Sequence, residues 1–269
     1  MIIVILGLNN STKDILRGLM PFLGRPLWFA SAYMTLLLVS PFLQKIIKWN
    51  LKELRTFVII LFIAISFIST LPDRQESYVL DFCWFMYVYI FIGFIKRTNF
   101  FEKAKKHKFS ILAIGLGIYF TLAFGNSICN IFSNDYPILL KFKTIIVQYI
   151  EDIKTIPNFI CAFAIFTFFI SLKSKNNKII NYISSTSFGV YIFHQVPVFI
   201  NVLWYNIFLC DKWSYPKLIV LYTILIAISV YIMGSVIDII RKKFFEKKFL
   251  DNKISNYICN KIDSFLILK

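Results

Sequence analysis

Seven apolar runs of roughly membrane length, separated by short links rich in lysine and arginine, dominate this sequence. They are Trp28–Ile47, Phe57–Leu71, Val79–Ile95, Phe109–Phe132, Asn158–Leu172, Ser187–Leu209 and Lys217–Ile240. A bilayer core of about 30 Å is crossed by roughly 20 apolar residues in helical form, and shorter runs lean on their flanking residues. Hydrophobic residues make up 58% of the 269-residue chain and charged residues only 16%. Soluble domains hold about half apolar and about a quarter charged residues. So few charges cannot cover this apolar surface in water. The runs therefore predict an all-α, polytopic transmembrane helix bundle with about seven complete spans.

The links fix a direction. Of the 30 basic residues, 21 fall on one side of the predicted membrane. They lie in the links around Lys45–Arg55, Lys96–Lys108 and Lys173–Lys178 and in the tail from Arg241 onwards. The other 9 include Arg17, Arg25, Arg74, Lys141 and Lys154. The positive-inside bias puts the richer side, and the C-terminus, in the cytoplasm. Met1–Leu8, which has neither a basic leader nor a small-residue cleavage site, then reads as the outer end of an earlier, partial span. No internal repeat or low-complexity linker divides residues 1–269, so the chain reads as a single domain.

Two segments are amphipathic rather than spanning. Ile138–Ile153 mixes apolar residues with Lys141, Lys143, Glu151 and Asp152 and suits the outer interface or the cap of a cavity. Asn176–Ser185 suits the inner interface. The tail RKKFFEKKF reads as a topology anchor or as a headgroup-binding helix. The formal charge of +16 does not indicate nucleic acid, because no basic patch is interleaved with exposed stacking aromatics. The cysteines at 83, 129, 161, 210 and 259 are scattered, with no ligand spacing, and read as small buried residues. Neither metal nor a bound cofactor is expected.

Soluble-enzyme signatures such as GxSxG, HExxH or a phosphate-cradling glycine loop are missing from the sequence. Any catalysis must then come from polar groups inside the bundle, where ionisable residues are costly and mark functional sites. His107 sits in the Lys-rich link KAKKHK and reads as a solvated loop residue. His194 lies inside the sixth run, about 10 Å from its cytoplasmic end. Ser187, Tyr191 and His194 share a face by their i, i+4, i+7 spacing, and Pro197 loosens the helix beyond them. That face is expected to turn towards the first span and to wall a cavity open to the cytoplasm. The alternative is a histidine that pins packing through an interhelical hydrogen bond. Arg25 binds an anionic or hydroxylated substrate, or else snorkels to the outer headgroups. Asp81 and Asp238, near run ends, are read as solvated at the interface.

Two stretches together carry a resemblance. Gly24–Lys48, GRPLWFASAYMTLLLVSPFLQKIIK, resembles the "WFL…YLLSPFL" helix of the membrane-bound acyltransferase-3 family. Ile183–Phe199, ISSTSFGVYIFHQVPVF, resembles that family's late "S-x-S-F-G-[IV]-Y-x-[IL]-H" helix. Their order, the four spans between them and the basic tail after the last span fit as well. The nearest flavour is the capsule and exopolysaccharide O-acetyltransferases. The resemblance implies an acyltransferase of the bacterial cytoplasmic membrane that moves an acyl group, usually acetyl, from cytoplasmic acyl-CoA to a hydroxyl of a surface glycan. Membrane lipids, acyl-CoA and a carbohydrate acceptor are the implied partners. Trp28 and Tyr33 match the early helix; Ser187, Phe188, Gly189, Tyr191 and His194 match the late one. His194 is the candidate catalytic residue, and Arg25, Tyr33, Ser187 and Tyr191 are the candidate substrate-binding residues. The family's first-helix histidine and the arginine motif that follows it have no counterpart here, so the domain is expected to be truncated at its N-terminal side. A non-catalytic flippase or polymerase component, or a small-solute transporter, is the alternative. A transporter should show inverted repeats or paired broken helices, and neither is evident.

Overall fold

The computed structural model describes residues 27–72, 78–132, 136–173, 176–195, 200, 202–212, 218–246 and 257. Among these, every regular element is helical: α1 (Trp28–Ile47), α2 (Leu51–Phe62), α3 (Tyr78–Lys96), α4 (Phe100–Lys106), α5 (Lys108–Phe132), α6 (Pro137–Glu151), α7 (Ile156–Ile170), α8 (Lys178–Ser184), α9 (Ser187–Gln195) and α10 (Ile219–Arg241). Without a break, α2 continues through a π-helical turn (Ile63–Phe67) into Ile68–Thr70. Further π-helical turns lie at Val202–Ile207 and Lys242–Glu246.

Five helical stretches among the described residues are long and apolar enough to cross a membrane: Trp28–Ile47, Val79–Lys96, Lys108–Phe132, Pro137–Ile170 and Ile219–Phe244. The protein is thus a multi-pass membrane protein. The stretch Pro137–Ile170 joins α6 and α7, which the sequence reading keeps apart, and its backbone leaves the helix at 152–155. The second apolar run begins earlier than its apolar residues suggest. Asn50 accepts a hydrogen bond from the Lys52 amide (3.1 Å) and starts α2 at Leu51, before the charged residues Lys52, Glu53 and Arg55. An N-cap oxygen satisfies an otherwise orphaned helix-start N–H. The sixth run is described as α9 and the turn Val202–Ile207, on either side of residues 196–199. Arg17, Arg25, Pro197 and most of the basic tail lie outside the described residues.

The chain divides into two compact units, residues 1–31 with 175–269 and residues 32–174. The larger unit is built on aromatic packing. Leu43, Leu54, Val58, Ile65, Trp84, Tyr87 and Ile90 form its buried core. Phe159 of α7 sits among the rings of Phe62, Trp84, Tyr87 and Phe91 at centroid distances of 5.8, 5.5, 5.9 and 5.2 Å. These tilted and edge-on pairs are the favourable geometries for aromatic rings. Gly115 lets α5 approach α7 closely: a Cβ there would stand 2.5 Å from that of Ala164.

One end of this unit is unexpectedly polar. The ammonium of Lys154, only 6% exposed, lies 2.5 Å from Asp81 and 2.9 Å from Asp152. The reading of Asp81 as a solvated end residue is therefore corrected. Beside this triad, Gln148 donates to the carbonyls of Ser69 and Leu71, and the Tyr149 hydroxyl donates to that of Thr70. The last carbonyls of a helix have no partner of their own, and in hydrocarbon they must find one inside the protein. Here α6 supplies it. At the other end of the unit, Arg97 donates to the carbonyls of Ile47 and Trp49 and closes α1 in the same way.

Candidate functional site

The smaller unit holds the late motif. Asn177 starts α8 by accepting from the Ile179 and Ile180 amides (2.9 and 3.3 Å), and α9 follows after a two-residue turn. Beyond it, Leu203, Ile226 and Val230 form a small core with Phe193 and Trp204 against them.

α9 and α10 are joined by a ladder of polar and close contacts. Tyr231 donates to the Ile183 carbonyl (2.9 Å), so the 3.0 Å contact between Ser187 and Tyr231 has the serine as donor. Thr186, which is 1% exposed, donates to the Ile183 carbonyl (2.7 Å) and accepts from Ser235 (2.8 Å). A Cβ on Gly234 would stand 2.9 Å from the Val190 Cα, so only glycine allows that approach. Gly189 lies against the carboxylate of Asp238. The ammonium of Lys242 reaches back to the Ser185 carbonyl (2.8 Å). Interhelical hydrogen bonds of this kind contribute about 0.6 kcal/mol each in a membrane. Their number, with two glycine contacts, fixes the register of α9 on α10.

Asp238 is a second residue, after Asp81, that sequence reasoning placed wrongly. It is 4% exposed, not solvated. Its Oδ1 lies 2.9 Å from Arg241 Nε and its Oδ2 lies 3.1 Å from Lys242 Nζ. The i+3 and i+4 spacing of Arg241 and Lys242 was a readable signal that an acid here has cationic partners. The small residue that makes room for it, Gly189, lies on another helix.

The other flank of α9 carries Tyr191 and His194. The Tyr191 ring packs edge-on against Phe29 in the first turn of α1, at 5.2 Å. This is the expected approach to the first span. Its hydroxyl is buried beside the Phe29 and Ala30 backbone and makes no hydrogen bond of normal geometry. The half-buried imidazole of His194 stands edge-on to Tyr191, at 6.0 Å. His194 Nδ1 lies 2.8 Å from the Val190 carbonyl oxygen. A carbonyl only accepts, so Nδ1 carries the hydrogen; in the neutral ring Nε2 then carries the lone pair. Among the described residues, the hydrogen bond and ring contact of this histidine are both with its own helix. His107, by contrast, is an exposed residue at the end of α4.

Ser187, Tyr191 and His194 are thus brought together on one helix, with the Ser187 hydroxyl committed to Tyr231. Tyr33 lies on α1 within the larger unit and is 40% exposed. Arg25 falls outside the described residues.

A cavity of about 380 Å³ lies between α9 and α10. Phe188, Gly189, Ile192 and Phe193 line it from α9, and Ile237, Asp238 and Arg241 from α10. At about 100° per residue, Gly189, Ile192 and Phe193 lie on the side of the helix away from His194, while the Phe188 ring, 6.3 Å from that of Tyr191, stands at the edge between the two faces. Neither Tyr191 nor His194 lines this cavity, so it is a different one from that expected beside the His194 face.

The family model of the acyltransferase-3 family, described as an acyltransferase domain, matches residues 6–237. No curated protein and no solved structure matches the chain.

Proposed function

This chain belongs to the acyltransferase-3 family, and we propose that it transfers an acyl group, in the first place acetyl, from cytoplasmic acyl-CoA to a hydroxyl of a cell-surface polysaccharide. The observation that carries this reading is the family match across residues 6–237, with the late motif present as Ser187, Phe188, Gly189, Tyr191 and His194. The matched stretch crosses both compact units, in keeping with one domain over residues 1–269. In the same reading the chain has seven spans in a bacterial cytoplasmic membrane, with its C-terminus inside. The basic residues concentrated on one side support that orientation.

The chemistry needs three things: a base for the hydroxyl proton, donors for the developing oxyanion and an acid for the leaving thiolate. His194 Nε2, left with its lone pair by the Nδ1 bond to Val190, accepts the acceptor's O–H proton. The freed oxygen attacks the thioester carbonyl carbon, and the carbonyl π electrons move onto its oxygen. Tyr191, whose buried hydroxyl has no other normal hydrogen bond, donates to that oxyanion. The tetrahedral intermediate collapses, the C–S bond breaks and the imidazolium returns its proton to the CoA sulfur. Ser187 holds α9 to α10 through Tyr231. Arg25 and Tyr33 belong in this reading to substrate binding.

The test is acetyl transfer from labelled acetyl-CoA to surface polysaccharide in membranes carrying the chain. His194→Ala should lower transfer by at least about a hundredfold, the usual worth of a positioned base. Protein level should not change. Loss of transfer only in proportion to loss of protein would reduce His194 to a packing residue.

A further inference from the structure

The cavity between α9 and α10 has walls and a rim of different character. Phe188, Ile192, Phe193 and Ile237 make apolar walls. From Phe188 to Phe193 these run about 7 Å along the helix axis, at 1.5 Å per residue. The rim is charged. Asp238 is countered there by both Arg241 and Lys242. Among the described side chains the rim thus holds two cations to one carboxylate. It sits in the last turn of an apolar helix long enough to cross the bilayer, the depth at which basic side chains meet phosphate headgroups. An apolar slot running inward from a cationic rim matches an amphiphile with an anionic head and a hydrocarbon tail. Two such amphiphiles exist in this setting, a membrane lipid and a long-chain acyl-CoA. The cavity lies on the flank of α9 away from His194, and Phe188 and Ile237 beside it are exposed side chains of membrane helices. That position favours the lipid.

We propose that this cavity is a binding site for an anionic phospholipid, its phosphate against Arg241 and Lys242 and the start of an acyl chain between Phe188, Ile192 and Phe193. Asp238 orients the Arg241 guanidinium through Nε and keeps the rim from binding anions indiscriminately. The proposal does not rest on the acyl-transfer reading.

The purified full chain is examined by native mass spectrometry with dioleoyl-phosphatidylglycerol, dioleoyl-phosphatidylcholine and palmitoyl-CoA, alone and in competition. The phosphatidylglycerol should be retained about fivefold over the phosphatidylcholine, the worth of one well-placed basic residue. Arg241→Gln should remove that preference and Arg241→Lys should restore it. Ile192→Trp, which fills the slot and leaves every charge in place, should lower retention of both lipids. Equal retention of the two lipids by the native chain overturns the proposal. So does unchanged lipid retention by Ile192→Trp, which decides the matter alone if Arg241→Gln does not fold. Displacement of phosphatidylglycerol by palmitoyl-CoA, with the same sensitivity to Ile192→Trp, would give the cavity to the acyl donor and overturn it too.

Discussion

Gly189 on α9 lies so close to the Asp238 carboxylate on α10 that no Cβ fits between them. The glycine of the late motif is there for the acid, and the acid is buried because of the glycine. Gly189→Ala must push the two helices apart or turn Asp238 towards lipid. Overpacking of this kind costs about 1–3 kcal/mol. A fall in the thermal midpoint of the detergent-solubilised protein measures it. Gly189→Ala combined with Asp238→Ala should recover part of the loss, since neighbouring changes couple. A double variant no better than the sum of the singles would mean that the pair does not interact.

Lys154 holds two carboxylates in a poorly hydrated place. Lys154→Met would leave Asp81 and Asp152 facing one another without a cation. Removing one partner of a buried ion pair costs about 3–5 kcal/mol. With the side chains of Asp81 and Asp152 still 18% and 17% exposed, the lower end applies. A thermal-shift series checks it, and Asp81→Asn in the Lys154→Met background should return part of the stability.

Tyr191 gives opposite expectations for stability and activity. A buried hydroxyl without a good partner is a burden of about 1–3 kcal/mol. Tyr191→Phe should therefore be at least as stable as the native protein. If the hydroxyl supports the oxyanion, transfer falls by about a hundredfold in the same variant. Thermal midpoint and transfer rate measured on one preparation separate the two effects. A stable variant with full transfer would exclude Tyr191 from the chemistry.

Orientation is read with reporter fusions in a bacterial host. Alkaline phosphatase fused after Lys269 should be inactive, and the same reporter inserted within 73–77 should be active. The reverse pattern would place α8 and the start of α9 on the outer side, away from a cytoplasmic acyl donor.

Much of the secondary structure was legible because apolar length is a local property. α1 begins and ends where its run does, and α3, α5 and α10 differ from their runs by one or two residues. The family was legible too, because its motifs are contiguous. The pairings were not. Asp238 needs Gly189, 49 positions earlier, and Asp81 needs Lys154, 73 positions later. Hydropathy marks both acids as lying near span ends, where solvation is the ordinary outcome, and gives no sign of partners distant in the chain. The π-helical turn in α2 escaped for a related reason. Ser66 and Ser69 are both fully buried there, while Phe67 and Ile68 stay exposed. An apolar run does not encode a change of helical winding.

The imidazole of His194 is held by a carbonyl four residues back on the same helix. Its orientation is therefore inherited from a stretch of nine residues, whereas the seat of Asp238 has to be assembled from two helices. A property written into one contiguous segment is portable. Ser187–Gln195 carried into another helical pair should bring the same tautomer with it, readable from the ring nitrogen shifts in an NMR spectrum. Drift in the distant helices would leave this ring undisturbed long after it had dissolved the acid's seat.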